Sequence, residues 1–202
     1  MAVPWRGAGT VAGRYGREDG AMVANHESPT TTVGTTNTPR GTVLGIYTAP
    51  AAGAPMVSRE RVPVVAGRGL AGDRYFDGRG YYSQVTPLTG RRLTLIAAEA
   101  LAALAAETGI VLGADECRRN LVTRGIDLDA LIGKRFRVGT IECYGERPCP
   151  PCGYLEQLTG LKGVNRGLTA RGGIRAEILL DGELAVGELA VGDVVALSDI
   201  VP

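Results

Sequence analysis

A β-barrel with a few peripheral α-helices is the fold class this sequence predicts, and three features carry the prediction. Short apolar runs recur along the chain between Gly-rich turns, the pattern of a sheet built from many short strands. Only residues 97–108 hold a sustained helical period. The apolar fraction is 45% and the aromatic fraction 5%, so Val, Leu, Ile and Ala must build the core. Many short strands leave many edges, and closing the sheet disposes of them.

Residues 1–39 are rich in Gly, Thr, Ala and Pro without an apolar period. They read as a flexible tail or a misassigned start, with no role for Trp5 or His26. Residues 40–202 then form one β-barrel domain. Thr42-Val43-Leu44-Gly45-Ile46-Tyr47 is a strand. Val62-Pro63-Val64-Val65 is a short edge strand, because Pro63 has no N–H for a ladder. Residues 49–55 make a loop between them. Gly69-Leu70-Ala71-Gly72-Asp73-Arg74-Tyr75 reads as a tight structural turn. Leu93-Thr94-Leu95-Ile96 ends a strand and leads into the helix. That helix buries Ile96, Ala100, Leu101 and Leu104 and is capped by Gly109.

Cys117-Arg118-Arg119-Asn120-Leu121-Val122-Thr123 is a strand or the start of one. Asp127 to Gly133 is a helical turn, with Asp127 as cap and Gly133 as stop. Arg135 to Cys143 alternates as a strand, with a bulge or turn at Gly139-Thr140. Ile174, Ala176, Ile178 and Leu180 share one face of a later strand, and Asp181-Gly182 predicts a hairpin turn. Gly-Glu-Leu-Ala-Val occurs twice in succession from Gly182, which reads as two strand-turn steps. Gly192-Asp193 introduces a last strand, 194–197.

A net charge of +1 gives no ground for nucleic-acid or membrane-surface binding. Lys134 and Lys162 are the only lysines. The preference for Arg reflects either GC-rich coding or two-pronged anion recognition, which guanidinium performs better than ammonium. No leader segment and no apolar stretch of spanning length is visible, so a cytoplasmic protein is expected. His26 is the single histidine, which argues against a Ser-His-Asp triad, a Cys-His dyad or a His-rich zinc site. Four cysteines in a cytosolic chain point to metal binding, catalysis or simple burial rather than a disulfide framework.

The chemistry concentrates in Glu146-Arg147-Pro148-Cys149-Pro150-Pro151-Cys152-Gly153-Tyr154-Leu155. Pro151 suits the first position of a short helix over 151–159, stopped by Gly160. Cys152 is then expected in the first turn, beside free N–H groups and the positive end of the dipole, with Arg147 near. A thiol so placed ionises readily and serves as nucleophile or soft metal ligand. Outside this loop, Arg118 and Arg119 with Asn120 form the best anion-binding cluster, or else a solvated edge.

The run from Cys117 through Asn120-Leu121-Val122-Thr123-Arg124-Gly125-Ile126-Asp127-Leu128, then Leu131-Ile132-Gly133-Lys134-Arg135-Phe136, then Cys149-Pro150-Pro151-Cys152, Arg171-Gly172-Gly173 and Val191-Gly192-Asp193, resembles the MOSC domain. Gly69 to Tyr75 is similar to a further motif of that family, which is named for the C-terminal part of molybdenum-cofactor sulfurases. The resemblance spans about residues 41–198 and is to stand-alone bacterial-type members. It implies a β-barrel and a molybdenum cofactor (molybdopterin). It also implies a cysteine that ligates molybdenum or carries sulfur as a persulfide. By its position relative to Leu155 and Thr159-Gly160 that cysteine is Cys152, with Cys149 an additional thiol. The family's grip on the pterin phosphate falls to Arg118, Arg119 and Arg171. Reduction of N-hydroxylated small molecules is the activity the family suggests when a cofactor is bound. The full sulfurases add a pyridoxal-phosphate domain with a Schiff-base lysine, which Lys134 and Lys162 do not suggest here. Pyridoxal phosphate is therefore not expected, and a sulfur donor or partner reductase is.

Two other readings start from the same cysteines. Cys149 and Cys152 have dithiol oxidoreductase spacing, without the thioredoxin-like surroundings. Cys117, Cys143, Cys149 and Cys152 would make a zinc-stapled, non-catalytic barrel, without zinc-ribbon spacing. The simplest reading of Cys117 and Cys143 is as small buried hydrophobes.

Overall fold

In a computed structural model the chain is described over residues 40–84 and 90–190. The readings of residues 1–39 and of the strand at 194–197 fall outside these. β1 (Arg40–Thr48), β2 (Val57–Arg59), β3 (Arg61–Val65) and β4 (Gly69–Leu70) precede β5 (Leu93–Ala97) and α1 (Ala98–Thr108). β6 (Leu121–Arg124), a 3-10 turn (Asp129–Leu131), β7 (Arg135–Val138) and β8 (Ile141–Pro148) follow. Then come α2 (Gly153–Thr159), α3 (Val164–Gly167), β9 (Ile174–Ile178), β10 (Gly182–Ala185) and β11 (Gly187–Ala190).

The main sheet runs β11-β1-β6-β5-β9-β8-β7, with β2 added to β1, and a second sheet runs β10-β3-β4. The main sheet curls into a half-barrel whose edge strands β7 and β11 come into contact. Among the described strands only β5 and β6 pair in parallel, and a parallel pair needs a crossover, which α1 supplies. Side chains alternate faces along β5 and β6, so the two strands divide two interiors. Leu93, Leu95 and Leu121 join Val43, Ile46, Phe136, Ile174 and Ile178 inside the curl. Ile96 and Val122 point the other way and meet Ala100, Leu104, Leu155, Val164 and Leu168 beneath the helices. Among the described residues no helix is long and apolar enough to cross a membrane.

Most predicted elements form where their residues place them. α1 ends at Gly109 in the left-handed conformation (φ 73°), and the Asp127 carboxylate accepts the Asp129 N–H at 3.0 Å. The break at Gly139-Thr140 is a two-residue hairpin between β7 and β8, with Gly139 at φ 60°. Three expectations fail, each because sequence does not say which strands pair. The Asp181-Gly182 hairpin does not form: β9 pairs with β5 and β8, whereas β10 pairs with β3. The chain changes sheets there, and Asp181 accepts the Ala66 N–H at 2.7 Å. Leu180, expected on the core face, lies past the end of β9 and is exposed. Pro63 sits in the central strand of its sheet rather than at an edge. Its carbonyl accepts the Ala71 N–H, so its missing N–H would point past the two-residue β4, where the ladder has ended. The repeated Gly-Glu-Leu-Ala-Val does give two strands, one in each sheet.

Gly173 leads into β9 at φ 86°, and a Cβ there would run into the Leu95 carbonyl of β5. Both obstacles are backbone. Gly173→Ala is therefore expected to remove more than about 2 kcal/mol of stability. Urea unfolding checks this, and an unchanged midpoint would contradict it.

Candidate functional site

The site is assembled around one buried carboxylate. Asp73 is 1% exposed. Its Oδ2 accepts from Arg74 Nη1 at 3.0 Å, Ala49 N at 3.2 Å and Asn120 Nδ2 at 3.2 Å. Its Oδ1 accepts the Tyr75 N–H at 3.1 Å. Asn120 is equally buried and satisfied: its Oδ1 accepts from Thr94 N and Oγ1, and its Nδ2 also donates to the Tyr47 carbonyl. These bonds tie the end of β1, the turn after β4, the start of β5 and the approach to β6 at one point.

Arg118 stands in that approach at φ 62°, the one non-glycine residue at positive φ among those described. Its Nη1 donates to the Ala54 carbonyl at 2.5 Å, and its buried Nη2 has no partner. Burial first, and then the neighbouring Arg74 cation, lower its guanidinium from the ordinary value. Strand pairing adds more cations. Arg175 of β9 lies opposite Thr94 on β5 and opposite Arg147 on β8, just after a register shift. Like charges placed opposite each other repel, and Arg175 Nε is likewise buried without a partner. A cavity of about 300 Å³ opens here. Among the described residues its lining holds Arg74, Arg91, Arg118, Arg119, Arg147 and Arg175, and no carboxylate.

The cysteine loop forms one wall. Cys149 is buried and Cys152 half-buried, both reduced, and both line the cavity. The loop is pinned from below: Cys149 N donates to the Gly173 carbonyl at 2.7 Å. Arg119 donates to the carbonyls of Gly172 at 2.9 Å, Cys149 at 2.6 Å and Cys117 at 3.3 Å. Gly172 allows this approach, since a Cβ would sit 2.6 Å from the Cys149 carbonyl. Cys152 is the residue before α2, in an extended conformation (φ −136°, ψ 165°). That corrects the expectation of a first-turn cysteine: the helix begins at Gly153. Tyrosines complete the cavity lining. Tyr81 stacks on Tyr154 at 4.2 Å between ring centroids and meets Tyr82 edge-on at 4.8 Å. The Tyr82 hydroxyl is pushed up to about 12, first by its hydrogen bond with Cys152 and then by burial.

Of the residues the sequence singled out, the structure gathers Cys149, Cys152, Arg118, Arg119 and Arg147 around one cavity. Asn120 is not on its wall but in the polar network behind it. Arg171 lies outside, in a two-pronged pair with Glu107 of α1 at 2.8 Å. Cys117 and Cys143 are buried in separate interiors, where burial pushes the first thiol up and the second up to about 12. Among the described residues no three His, Cys, Asp or Glu side chains converge on a metal position, so the four cysteines do not form a zinc staple. Lys134 and Lys162 are exposed and do not line the cavity. Sequence reasoning missed Arg74, Arg91, Arg175 and the tyrosines. The Asp73-Arg74 pair was the available signal, since two adjacent charges inside a Gly-rich turn ask for a buried partner.

Two outcomes follow for measurement. Arg119→Lys is expected to cost about 2–3 kcal/mol, because an ammonium cannot reproduce a fork that serves three carbonyls. It should also expose Cys149 to alkylation, read by peptide mass spectrometry. Cys143 holds its proton in the folded state above the ordinary thiol value near 9, up to about 12. Its contribution is thus complete below about pH 9 and is lost as pH rises toward 12, where only the unfolded thiol ionises. The unfolding free energy of Cys143→Ala should decline less steeply than wild type between about pH 8 and 10.5.

No curated protein matches the chain in sequence. Among solved structures it is similar to the YuaD protein from Bacillus subtilis, with 17% identity, TM-score 0.61, and 74% of this chain and 93% of that one covered. It is similar also to YiiM from Geobacillus stearothermophilus (16% identity, TM-score 0.54, 77% and 75% covered) and to YiiM from Escherichia coli (18%, 0.52, 77% and 69%). At these identities the likeness establishes the fold. The MOSC domain matches residues 79–196, starting after Gly69–Leu70 and Asp73. With more than half of the sequence matched and the half-barrel in common, the chain belongs to the MOSC domain family, which is associated with molybdenum-cofactor and sulfur metabolism.

Proposed function

We propose that the chain binds a molybdenum cofactor or carries sulfur, with Cys152 as the metal ligand or persulfide carrier. One observation carries the reading: a half-buried, reduced thiol faces a cavity lined by six arginines and no carboxylate among the described residues. The residues present suit a soft-centred, anionic group. Thiolate is the ligand that soft centres prefer. The unpartnered Nη2 of Arg118 and Nε of Arg175 are donors awaiting an acceptor, because orphaned buried donors are costly. In this reading Cys152 would ligate the metal, and Arg118, Arg175 and Arg147 would hold the phosphate. Arg119 keeps the loop in place rather than gripping the ligand. A bound molybdenum cofactor supplies two-electron redox chemistry that side chains lack, and an N-hydroxylated small molecule with a partner reductase is the matching use. In the carrier role, the Cys152 thiolate attacks the outer sulfur of a donor persulfide. A new S–S bond forms, the old one breaks, and the donor leaves as its thiolate.

The test uses protein from cells grown with molybdate. Molybdenum, the fluorescent oxidised pterin, and the mass of the Cys152 peptide are measured on wild type and on Cys152→Ala. Wild type is expected to hold either metal with pterin or one extra sulfur atom on Cys152, and the variant neither. Wild type holding none of these would retire the reading.

A further inference from the structure

Arg171 is the one cation that the sequence offered to the site and the fold kept off the cavity wall. Its guanidinium is held instead by Glu107, with Nη1 donating to Oε1 and Nη2 to Oε2, both at 2.8 Å. This is the two-pronged geometry in which guanidinium binds carboxylate best. Glu107 stands in the last turn of α1, where no basic residue offsets it. A carboxylate there faces the negative end of the helix dipole, so the helix itself gains nothing from it.

The partner of Glu107 sits at a sensitive point. Arg171 N donates to the Leu168 carbonyl at 3.0 Å, closing the turn after α3. The next two carbonyls seat the cysteine loop: Gly172 accepts from Arg119 Nε at 2.9 Å, and Gly173 from Cys149 N at 2.7 Å. A second cavity, of about 390 Å³, has a lining that includes Pro148 and Pro150 of the loop and Thr169, Ala170, Gly172 and Gly173 of the turn. The turn thus has open space beside it, and neither glycine has a side chain to anchor it. α1 does have anchors, since Ala100 and Leu104 are buried beneath it.

We propose that Arg171 is a positioning residue: its ion pair with Glu107 latches the turn bearing Gly172 and Gly173 to the end of α1, and so keeps the cysteine loop seated. The inference deepens the reading of that loop as the working part of the site, but its test needs neither metal nor sulfur. The paired side chains are 33% and 56% exposed, so salt weakens the latch.

The experiment follows hydrogen exchange of single backbone amides by NMR. The Cys149 amide reports the seat, and the Tyr47 amide, which donates to the Asn120 carbonyl at 2.7 Å, reports the sheet. In Glu107→Gln and in Arg171→Gln, the Cys149 amide is expected to exchange roughly threefold faster at low salt, with Tyr47 unchanged. The double variant should be no faster than either single one, because the two changes break one contact. Unchanged exchange at Cys149, equal acceleration at both amides, or additive acceleration in the double variant overturns the proposal. Wild type supplies an arm that needs no variant: about 1 M potassium chloride should speed exchange at Cys149 and not at Tyr47, and no such difference overturns the latch. Purified protein without molybdenum or persulfide would remove the functional reading and leave the latch standing, whereas a failed exchange test would leave that reading untouched.

Discussion

The Asp73 carboxylate is where strands that are remote in sequence are made to agree. Four donors converge on it, from Ala49, Arg74, Tyr75 and Asn120. A buried carboxylate is tolerated only when its lone pairs are used and a cation faces it. Both conditions are met, and meeting them fixes where β1 ends, where the turn after β4 lies and how the chain enters β6. Removing one member of such a buried pair costs about 3–5 kcal/mol, because the survivor keeps its charge in the interior. The sheet would retain its apolar faces without this hub, but Arg74 and Arg118 would lose their reason to sit at the cavity.

From that hub the site follows in two steps. Arg119, next to Asn120, reaches the other way and serves the carbonyls of Cys149 and Gly172. Gly172 lets the cysteine loop come close, and Gly173 lets the start of β9 come close to β5. The same run of residues therefore supplies one cation to the cavity, Arg118, one strut to the loop, Arg119, and one link to the hub, Asn120. Positive charge then gathers on the cavity wall, which six arginines line among the described residues. Arg147 faces Arg175 across a β-ladder, and two guanidinium nitrogens are buried without partners. In the proposed function an anion bound against this surface would stabilise the fold, linking ligand binding to folding.

The three thiol environments separate chemistry from packing. Cys143 and Cys117 are held protonated by burial, each within its own apolar interior. Cys149 is buried at the cavity wall, with its backbone held on both sides. Cys152 alone among the four is partly open, and its contact is a tyrosine hydroxyl rather than the helix it precedes.

Local physics determined much of this in advance. Alternation in Ile174-Arg175-Ala176-Glu177-Ile178, the cap at Gly109 and the Asp127 turn were all legible from neighbours within a few residues. Arg118 and Arg119 were legible as a pair, though not that one would face the cavity and the other a set of carbonyls. Tertiary structure alone decided which strands pair. It turned Asp181-Gly182 into a passage between sheets, put Pro63 in a central strand and sent Arg171 to Glu107. It also brought Arg74, Arg91, Arg175 and Tyr82 to the cysteine. Strand partners and cavity walls depend on residues about a hundred positions apart, and such contacts leave no periodicity along the chain to be read.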